Sequence, residues 1–297
     1  MNKIICRIKG GLGNQLFCYA AARRLALVNN AELVIDDTSG FIRDQLYNRK
    51  YALDYFNISA RKVTSAERLE PLERYRRGVM KWLSRRKPFA ERRYLEQEGQ
   101  MFDERLLNLK VKGTFYLDGL WQSEGYFKDV ERTIRDDLRI IPPMDEINQR
   151  LAEEILNCKA VALHVRWFSK LGSSTMNQNI SVDYYQRAIA MMDQLVDFPH
   201  YFLFSDDPDA ARAKITLPEG RVTFISHNVG DENAYADLWL MTQCRHYIIA
   251  NSTFSWWGAW LGAKSESVVI SPDDRSQDGA VWAWSFMGQL PSGWLKI

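Results

Sequence analysis

The chain has 297 residues, 46% of them hydrophobic and 26% charged, with a formal net charge of +2. That composition excludes a disordered polymer and supplies enough apolar material for one large or two medium cores. The near-neutral total argues against a nucleic-acid partner, and no stretch approaches the roughly eighteen uninterrupted apolar residues of a membrane span. Cys6, Cys18, Cys158 and Cys244 stand far apart without a CxxC spacing. They predict reduced packing thiols rather than a zinc site or disulfide framework. The opening MNKIICRIKGG is too short in its apolar run for a signal peptide, which predicts a cytoplasmic protein.

The first forty residues predict a strand (KIICRI), a glycine turn (GGLG), a helix (NQLFCYAAARRLALVNN) and a second strand (ELVID). Between Arg61 and Arg93 stand twelve Lys or Arg against four Glu, a local +8 that leaves the rest of the chain at −6. Leu69, Leu72, Val79, Trp82 and Leu83 recur there at helical spacing among Arg74, Arg76, Arg77, Lys81, Arg85, Arg86 and Lys87. This predicts a basic amphipathic helix ending before Pro88. Two readings are open: a solvated basic face, or contact with an anionic membrane surface or a lipid-linked substrate.

Ile141-Pro142-Pro143-Met144-Asp145 marks a break. The interdomain link is expected near 141–157, dividing the chain into 1–150, with its basic insertion at 61–93, and 151–297. A second series follows, with KAVALHV, YFLFS, RVTFIS, HYIIA and SVVIS as strands and DYYQRAIAMMDQL and YADLWLMTQC as helices. NSTFSWWGAWLGA is a loop entering a further helix. Strands alternating with helices predict an α/β protein with parallel sheets, its ligand at the carboxyl ends of the strands.

Those strand ends name the candidates. Gly11-Leu12-Gly13 with Asp36 meets part of a dinucleotide-binding fingerprint, but Leu16 stands where the third small residue belongs. An NAD(P)-dependent oxidoreductase using Gly11, Gly13 and Asp36 is therefore one alternative. Another is a turn that presents Asn14, Gln15 and helix N-terminal N–H groups to an anionic or hydroxyl-rich ligand. His164 and Arg166, two apart on a strand, project to one side; the arginine suits a phosphate or pairs with Asp206 or Asp207. Asn251-Ser252-Thr253-Phe254-Ser255 opens a helix, a natural phosphate seat, with Trp256, Trp257 and Trp260 expected in the core. Asp237 is either a favourable N-terminal charge or an acceptor for the paired N–H donors of a guanine. Ten tryptophans, among them Trp282, Trp284 and Trp294 in the tail, leave a non-catalytic carbohydrate-binding protein as a further alternative.

Together these residues resemble the bacterial α-1,2-fucosyltransferases. The matching blocks are Gly11-Leu12-Gly13-Asn14-Gln15-Leu16-Phe17 with Tyr19-Ala20, Leu163-His164-Val165-Arg166, Asp183-Tyr184-Tyr185 and Phe204-Ser205-Asp206-Asp207. The last runs from Asp237-Leu238 through Cys244 to Asn251-Ser252-Thr253-Phe254-Ser255-Trp256-Trp257-Gly258-Ala259-Trp260-Leu261. They stand in the family order and span nearly the whole chain.

The resemblance implies a GT-B-like α/β fold, two Rossmann-like domains facing across a cleft, acceptor side first and donor side second. It implies inverting transfer of L-fucose from GDP-β-L-fucose to the 2-hydroxyl of a galactose-terminated, in one version lipid-linked, glycan during surface polysaccharide or O-antigen synthesis. By the same resemblance His164 and Arg166 meet the nucleotide and its β-phosphate, Thr253, Phe254 and Ser255 the diphosphate, and Asp237 the guanine. Gly11, Gly13, Asn14, Ser205, Asp206, Asp207, Asn251 and Ser252 complete the expected donor set. Arg166 and Asn14 are the expected catalytic residues, with Asp36, Asp37, Asp118 and Glu124 as candidates for the base. No metal or other cofactor is called for. The family's HxRRGDY stands here as His164-Val165-Arg166-Trp167-Phe168-Ser169-Lys170, so the second arginine and the aspartate are replaced.

Overall fold

Short apolar runs bounded by turn residues form strands, and the longer periodic runs between them form helices. A computed structural model describes residues 1–45, 47–99, 101–167, 180–273 and 290–297. Phe168, Ser169, Lys170, Trp282 and Trp284 lie outside the described residues. The chain divides into two units, Met1–Arg139 and Ile140–Ile297.

In the first unit β1 (Lys3–Arg7) leads through α1 (Leu12–Val28) to β2 (Glu32–Asp36). Then come β3 (Arg61–Lys62), α2 (Glu73–Arg85), β4 (Tyr94–Glu96), β5 (Thr114–Asp118) and α3 (Glu131–Asp137). The strands form a parallel sheet in the order β3-β2-β1-β5-β4. Helix α1 is apolar almost all round, and Leu16, Phe17, Cys18, Ala20 and Ala22 are at most 2% exposed. Such a helix belongs inside a core rather than on a surface.

The second unit runs α4 (Glu146–Leu156), β6 (Ala160–Val165), α5 (Val182–Leu195), β7 (His200–Ser205), α6 (Pro208–Lys214) and β8 (Val222–Ile225). It continues with α7 (Ala234–Gln243), β9 (His246–Ile248), α8 (Thr253–Gly262), β10 (Val269–Ser271) and β11 (Leu295–Lys296). Its parallel sheet has the order β8-β7-β6-β9-β10-β11. Counted within the unit, that is 3-2-1-4-5-6, the Rossmann order. Strand β6 is buried along its whole length, as its continuous AVALHV run requires. The order reverses between β6 and β9, and in the first unit between β1 and β5, so crevices open at the carboxyl ends of those pairs.

Two segments differ from the sequence expectation. The second unit begins at Ile140, and most of the segment expected to link the domains is α4. Asp145 caps this helix by accepting from the Asn148 N–H, and Leu151, Ala152 and Ile155 return to one buried face at helical spacing.

The basic helix α2 is turned the other way round from a helix with a solvated basic face. Arg77 reaches Asp36 at 3.5 Å, Lys81 reaches Asp118 at 3.0 Å and Glu96 at 2.6 Å, and Arg85 also pairs with Glu96. Ser84, buried on the same side, accepts the Tyr94 N–H. The carboxylates closing β2, β4 and β5 need cations, and α2 supplies them at steps of four. Its apolar residues consequently face solvent, with Tyr75 71% and Trp82 56% exposed.

Candidate functional site

The crevice of the second unit is lined by the ends of β6 and β7 and by the turn from β9 into α8. His164 is 5% exposed and its ring lies 5.6 Å from that of Phe254, joining two expected blocks. Burial, and then the Arg166 charge, push its pKa down to about 3, so the imidazole is neutral at physiological pH. Its Nδ1 is buried without a hydrogen-bond partner among the described residues. A buried polar atom of this kind at a strand end marks a place for a ligand group.

Arg166 pairs with Asp206, Nη1 to Oδ2 3.2 Å, and donates its backbone N–H to the Tyr185 hydroxyl at 3.4 Å. Asp206 also accepts the Trp167 N–H at 2.9 Å. Burial raises the Asp206 carboxyl while Arg166 opposes the rise. Asp207 caps α6 through the Ala210 N–H, and its own N–H goes to Ser205 Oγ at 3.1 Å. The acidic pair is thus engaged in supporting the arginine and the helix. Trp167, where the family has its second arginine, is buried between Tyr185 and the Lys214 ammonium.

At the start of α8, Ser252 Oγ accepts the Phe254 N–H at 3.3 Å. Asn251 and Thr253 are buried beside it. The Ser255 hydroxyl is used within the fold. It is fully buried, donates to Ser252 O and accepts from the Ala250 N–H, both at 3.3 Å, and so braces the bend from within. Trp256, Trp257 and Trp260 pack on one another, with Trp294 5.8 Å from Trp256, as core residues.

Asp237, in the first turn of α7, accepts from Asn228 at 2.8 Å. Burial pushes its carboxyl up to about 7 against that hydrogen bond. Asn228 and Asn148 exchange amide hydrogen bonds at 2.9 and 3.0 Å, and Asn148 donates to Asp145 at 2.8 Å and meets His227 at 3.0 Å. These supporting residues escaped the sequence reading; the one cue was the polar pair His227-Asn228 directly after strand β8.

Gly11, Gly13 and Asn14 belong to the first unit. Gly10, at φ +79°, turns the chain, and a Cβ there would lie 2.8 Å from Asn14 Nδ2, so glycine is required. Gln122 donates to Asn14 Oδ1 at 2.8 Å across the β1/β5 crevice, which fixes the orientation of the Asn14 amide. Gln15 takes no part: its amide donates to Gly10 O and Lys50 O and accepts from the Ala52 N–H.

The four candidate bases are not alike. Asp118 is 1% exposed and is held by Lys9 at 2.8 Å, Arg7 at 3.2 Å and Tyr94 at 2.7 Å, besides Lys81. Burial would raise its carboxyl, but Lys9, Arg7 and the two hydrogen bonds from Lys9 and Tyr94 hold it well below the usual carboxylate range. Asp36 is 3% exposed and closes a turn on the Thr38 and Ser39 N–H groups. Both serve the fold. Asp37, with Lys62 at 3.6 Å, and Glu124, with Lys128 at 3.2 Å, are the more accessible pair. Among the described residues no group of three or more His, Cys, Asp or Glu is placed to hold a metal ion, and no helix is long and apolar enough to cross a membrane.

The sequence model described as Glycosyl transferase family 11 matches residues 3–281. Two Escherichia coli proteins are similar to the chain. An alpha-1,2-colitosyltransferase is 27% identical over 281 residues, 92% of each chain. The O-antigen biosynthesis glycosyltransferase WbnK is 30% identical over 293 residues, 89% of this chain and 92% of that one. Among solved structures the fucosyltransferase NodZ from Bradyrhizobium superposes with a TM-score of 0.52 at 18% identity, over 86% of this chain and 91% of that one. A mutant of Arabidopsis thaliana FUT1 in complex with GDP gives 0.51 at 12% identity, over 94% and 73%. These likenesses establish a GT-B-like α/β fold. The order of the expected blocks, the fold and a match over residues 3–281 agree: the chain belongs to glycosyl transferase family 11 and is a glycosyltransferase.

Proposed function

We propose that this glycosyltransferase moves L-fucose from GDP-β-L-fucose to the 2-hydroxyl of a terminal galactose, with inversion to an α-1,2 linkage, in building an O-antigen unit. The carrying observation is the meeting of His164, two residues before Arg166, with Phe254 at the start of α8, at the strand-order reversal of the second unit. A neutral imidazole with an unpartnered buried nitrogen, a guanidinium and a helix N-terminus suit a nucleoside diphosphate. Inversion takes a single displacement, in which negative charge grows on the departing GDP. Arg166 and the N–H groups opening α8 stabilise it, so the reaction as proposed calls on no metal. Asp237 takes the guanine edge. In the first unit Asn14, its orientation fixed by Gln122, holds the acceptor hydroxyl. Asp37 and Glu124 are the candidates for its proton. The α-1,2 linkage and the O-antigen setting draw support from the two relatives' names.

Release of GDP from GDP-fucose only when a β-galactoside is supplied, with the product linkage read by NMR, tests the proposal. Hydrolysis without acceptor dependence, or another linkage, refutes it. The colitosyltransferase relative favours one second reading, with GDP-colitose, which lacks the 3-hydroxyl of fucose, as the donor. Turnover of the two donors side by side separates them.

A further inference from the structure

Helix α2 presents an apolar stripe to solvent. Leu72, Tyr75, Val79, Trp82 and Leu83 are 69, 71, 38, 56 and 48% exposed. Steps of three and four residues bring them to the same side over a length of about 16 Å. Between them Gly78 has no atom within 4 Å of where a Cβ would stand, so the surface there is open. The orientation is fixed by the opposite face, whose cations are engaged with Asp36, Glu96 and Asp118.

The stripe is bordered by positive charge. Arg76 and Arg74 flank it, Arg86 lies 3.1 Å over the Trp82 ring, and Lys87 follows the helix. Among the described residues none of these four has a carboxylate partner. The one acid of the helix, Glu73, sits in its first turn. A second copy of the chain would bring these like charges face to face, whereas an anionic lipid surface answers both the apolar stripe and the cations. Aromatic residues on the apolar side and Arg or Lys along its edges are the arrangement of a helix lying in the plane of a membrane interface.

We propose that α2 docks the protein on an anionic bilayer. Leu72, Tyr75, Val79 and Trp82 enter the boundary between headgroups and acyl chains, and Arg74, Arg76, Arg86 and Lys87 meet the headgroups. The inference is independent of the sugar donor and of the acceptor.

The test is co-sedimentation of the full chain with vesicles of phosphatidylcholine alone or mixed with phosphatidylglycerol. Binding to the mixed vesicles is expected to be stronger on the order of ten-fold, and to weaken as salt is raised. Val79→Glu with Trp82→Glu is expected to abolish it, and Arg74→Ser with Arg76→Ser and Lys87→Ser to reduce it to the level of neutral vesicles. Neither set is expected to move the thermal midpoint or transfer to a soluble galactoside. Absence of binding, equal binding to both vesicles, or indifference to either set of substitutions overturns the proposal. So does a dimer in lipid-free solution that the Val79 and Trp82 substitutions dissociate, which assigns the stripe to a second copy. The transfer assay judges the proposed chemistry separately, since vesicle binding needs no turnover.

Discussion

The imidazole of His164 and the ring of Phe254 lie 5.6 Å apart at 45°, although ninety residues of chain separate them. Parallel pairing of β6 with β9 makes them neighbours, since Leu163 stands opposite Ile248 and both chains then leave the sheet at the same edge. The pair sits where the strand order reverses, and Arg166 follows two residues after the histidine.

Arg166→Ala is expected to lower kcat by about 10²–10³ with the fold retained, because a donor aimed at developing charge is lost from a partly exposed strand end. Arg166→Lys recovers only part, since an ammonium lacks the bidentate fork. Steady-state kinetics beside a thermal melt check this. Ordinary turnover in the alanine variant removes Arg166 from the mechanism.

Asp206→Asn keeps the acceptor for the Trp167 N–H but removes the charge that pairs with Arg166. GDP is then expected to bind more tightly, by up to about 1 kcal/mol or roughly five-fold, and to leave more slowly. Calorimetric titration of both proteins with GDP decides it; weaker binding contradicts the assignment of Arg166 to the diphosphate.

In its proposed role Asp237 would accept guanine donors only as a carboxylate, and its pKa is raised to about 7 by burial. Affinity for GDP should therefore climb as pH rises through about 7 and fall by up to about ten-fold per unit below it. Stability runs the opposite way. A raised folded-state pKa gives a contribution that is full below the unfolded value of about 4 and lost as pH rises through about 7. Asp237→Asn should flatten both profiles. A GDP affinity independent of pH between about 6 and 8 would exclude the guanine role.

The cations around Asp118 predict a cost for its removal. Asp118→Asn leaves Arg7, Lys9 and Lys81 facing a neutral amide, and about 3–5 kcal/mol of stability should go with it. Its depressed pKa means that the contribution is present above the unfolded value and lost as pH falls through the folded one. Denaturant titrations at neutral and acid pH should show the two proteins converging only in acid.

Chelators should leave transfer unchanged if, as proposed, the diphosphate is met by Arg166 and the start of α8. GDP should raise the melting temperature while NAD does not. Activity lost to EDTA and restored by a divalent cation would refute the proposed division of labour.

The alternation of apolar runs such as KIICR and AVALHV with helical segments made the two parallel sheets legible, and the strand-end rule pointed to His164, Arg166 and the start of α8. The direction faced by α2 was not legible. Periodicity marks its two sides but not which goes in. The decision lies with Asp36, Glu96 and Asp118, buried or half-buried carboxylates on three strands that meet the helix only in the fold. Gln122 on Asn14 and Asn148 on Asn228 are contacts across 108 and 80 residues, and neither partner belongs to a recognisable block. The use of the Ser255 hydroxyl was not legible for a local reason: a cap-region serine has both backbone and solvent within reach, and here the Ser252 carbonyl and the Ala250 N–H claimed it.

The two tyrosines of α5 stand side by side, yet their hydroxyls serve different strands. Tyr184 donates to Ile249 O at 2.7 Å, just ahead of the turn into α8, while Tyr185 receives the backbone N–H of Arg166. One helical turn therefore acts as a common strut beneath both walls of the crevice. Any displacement of α5 would therefore act on the arginine and the approach to the helix start together. Tyr184→Phe with Tyr185→Phe uncouples the walls without touching any charged group, and damage of that kind shows as loosened geometry rather than missing chemistry.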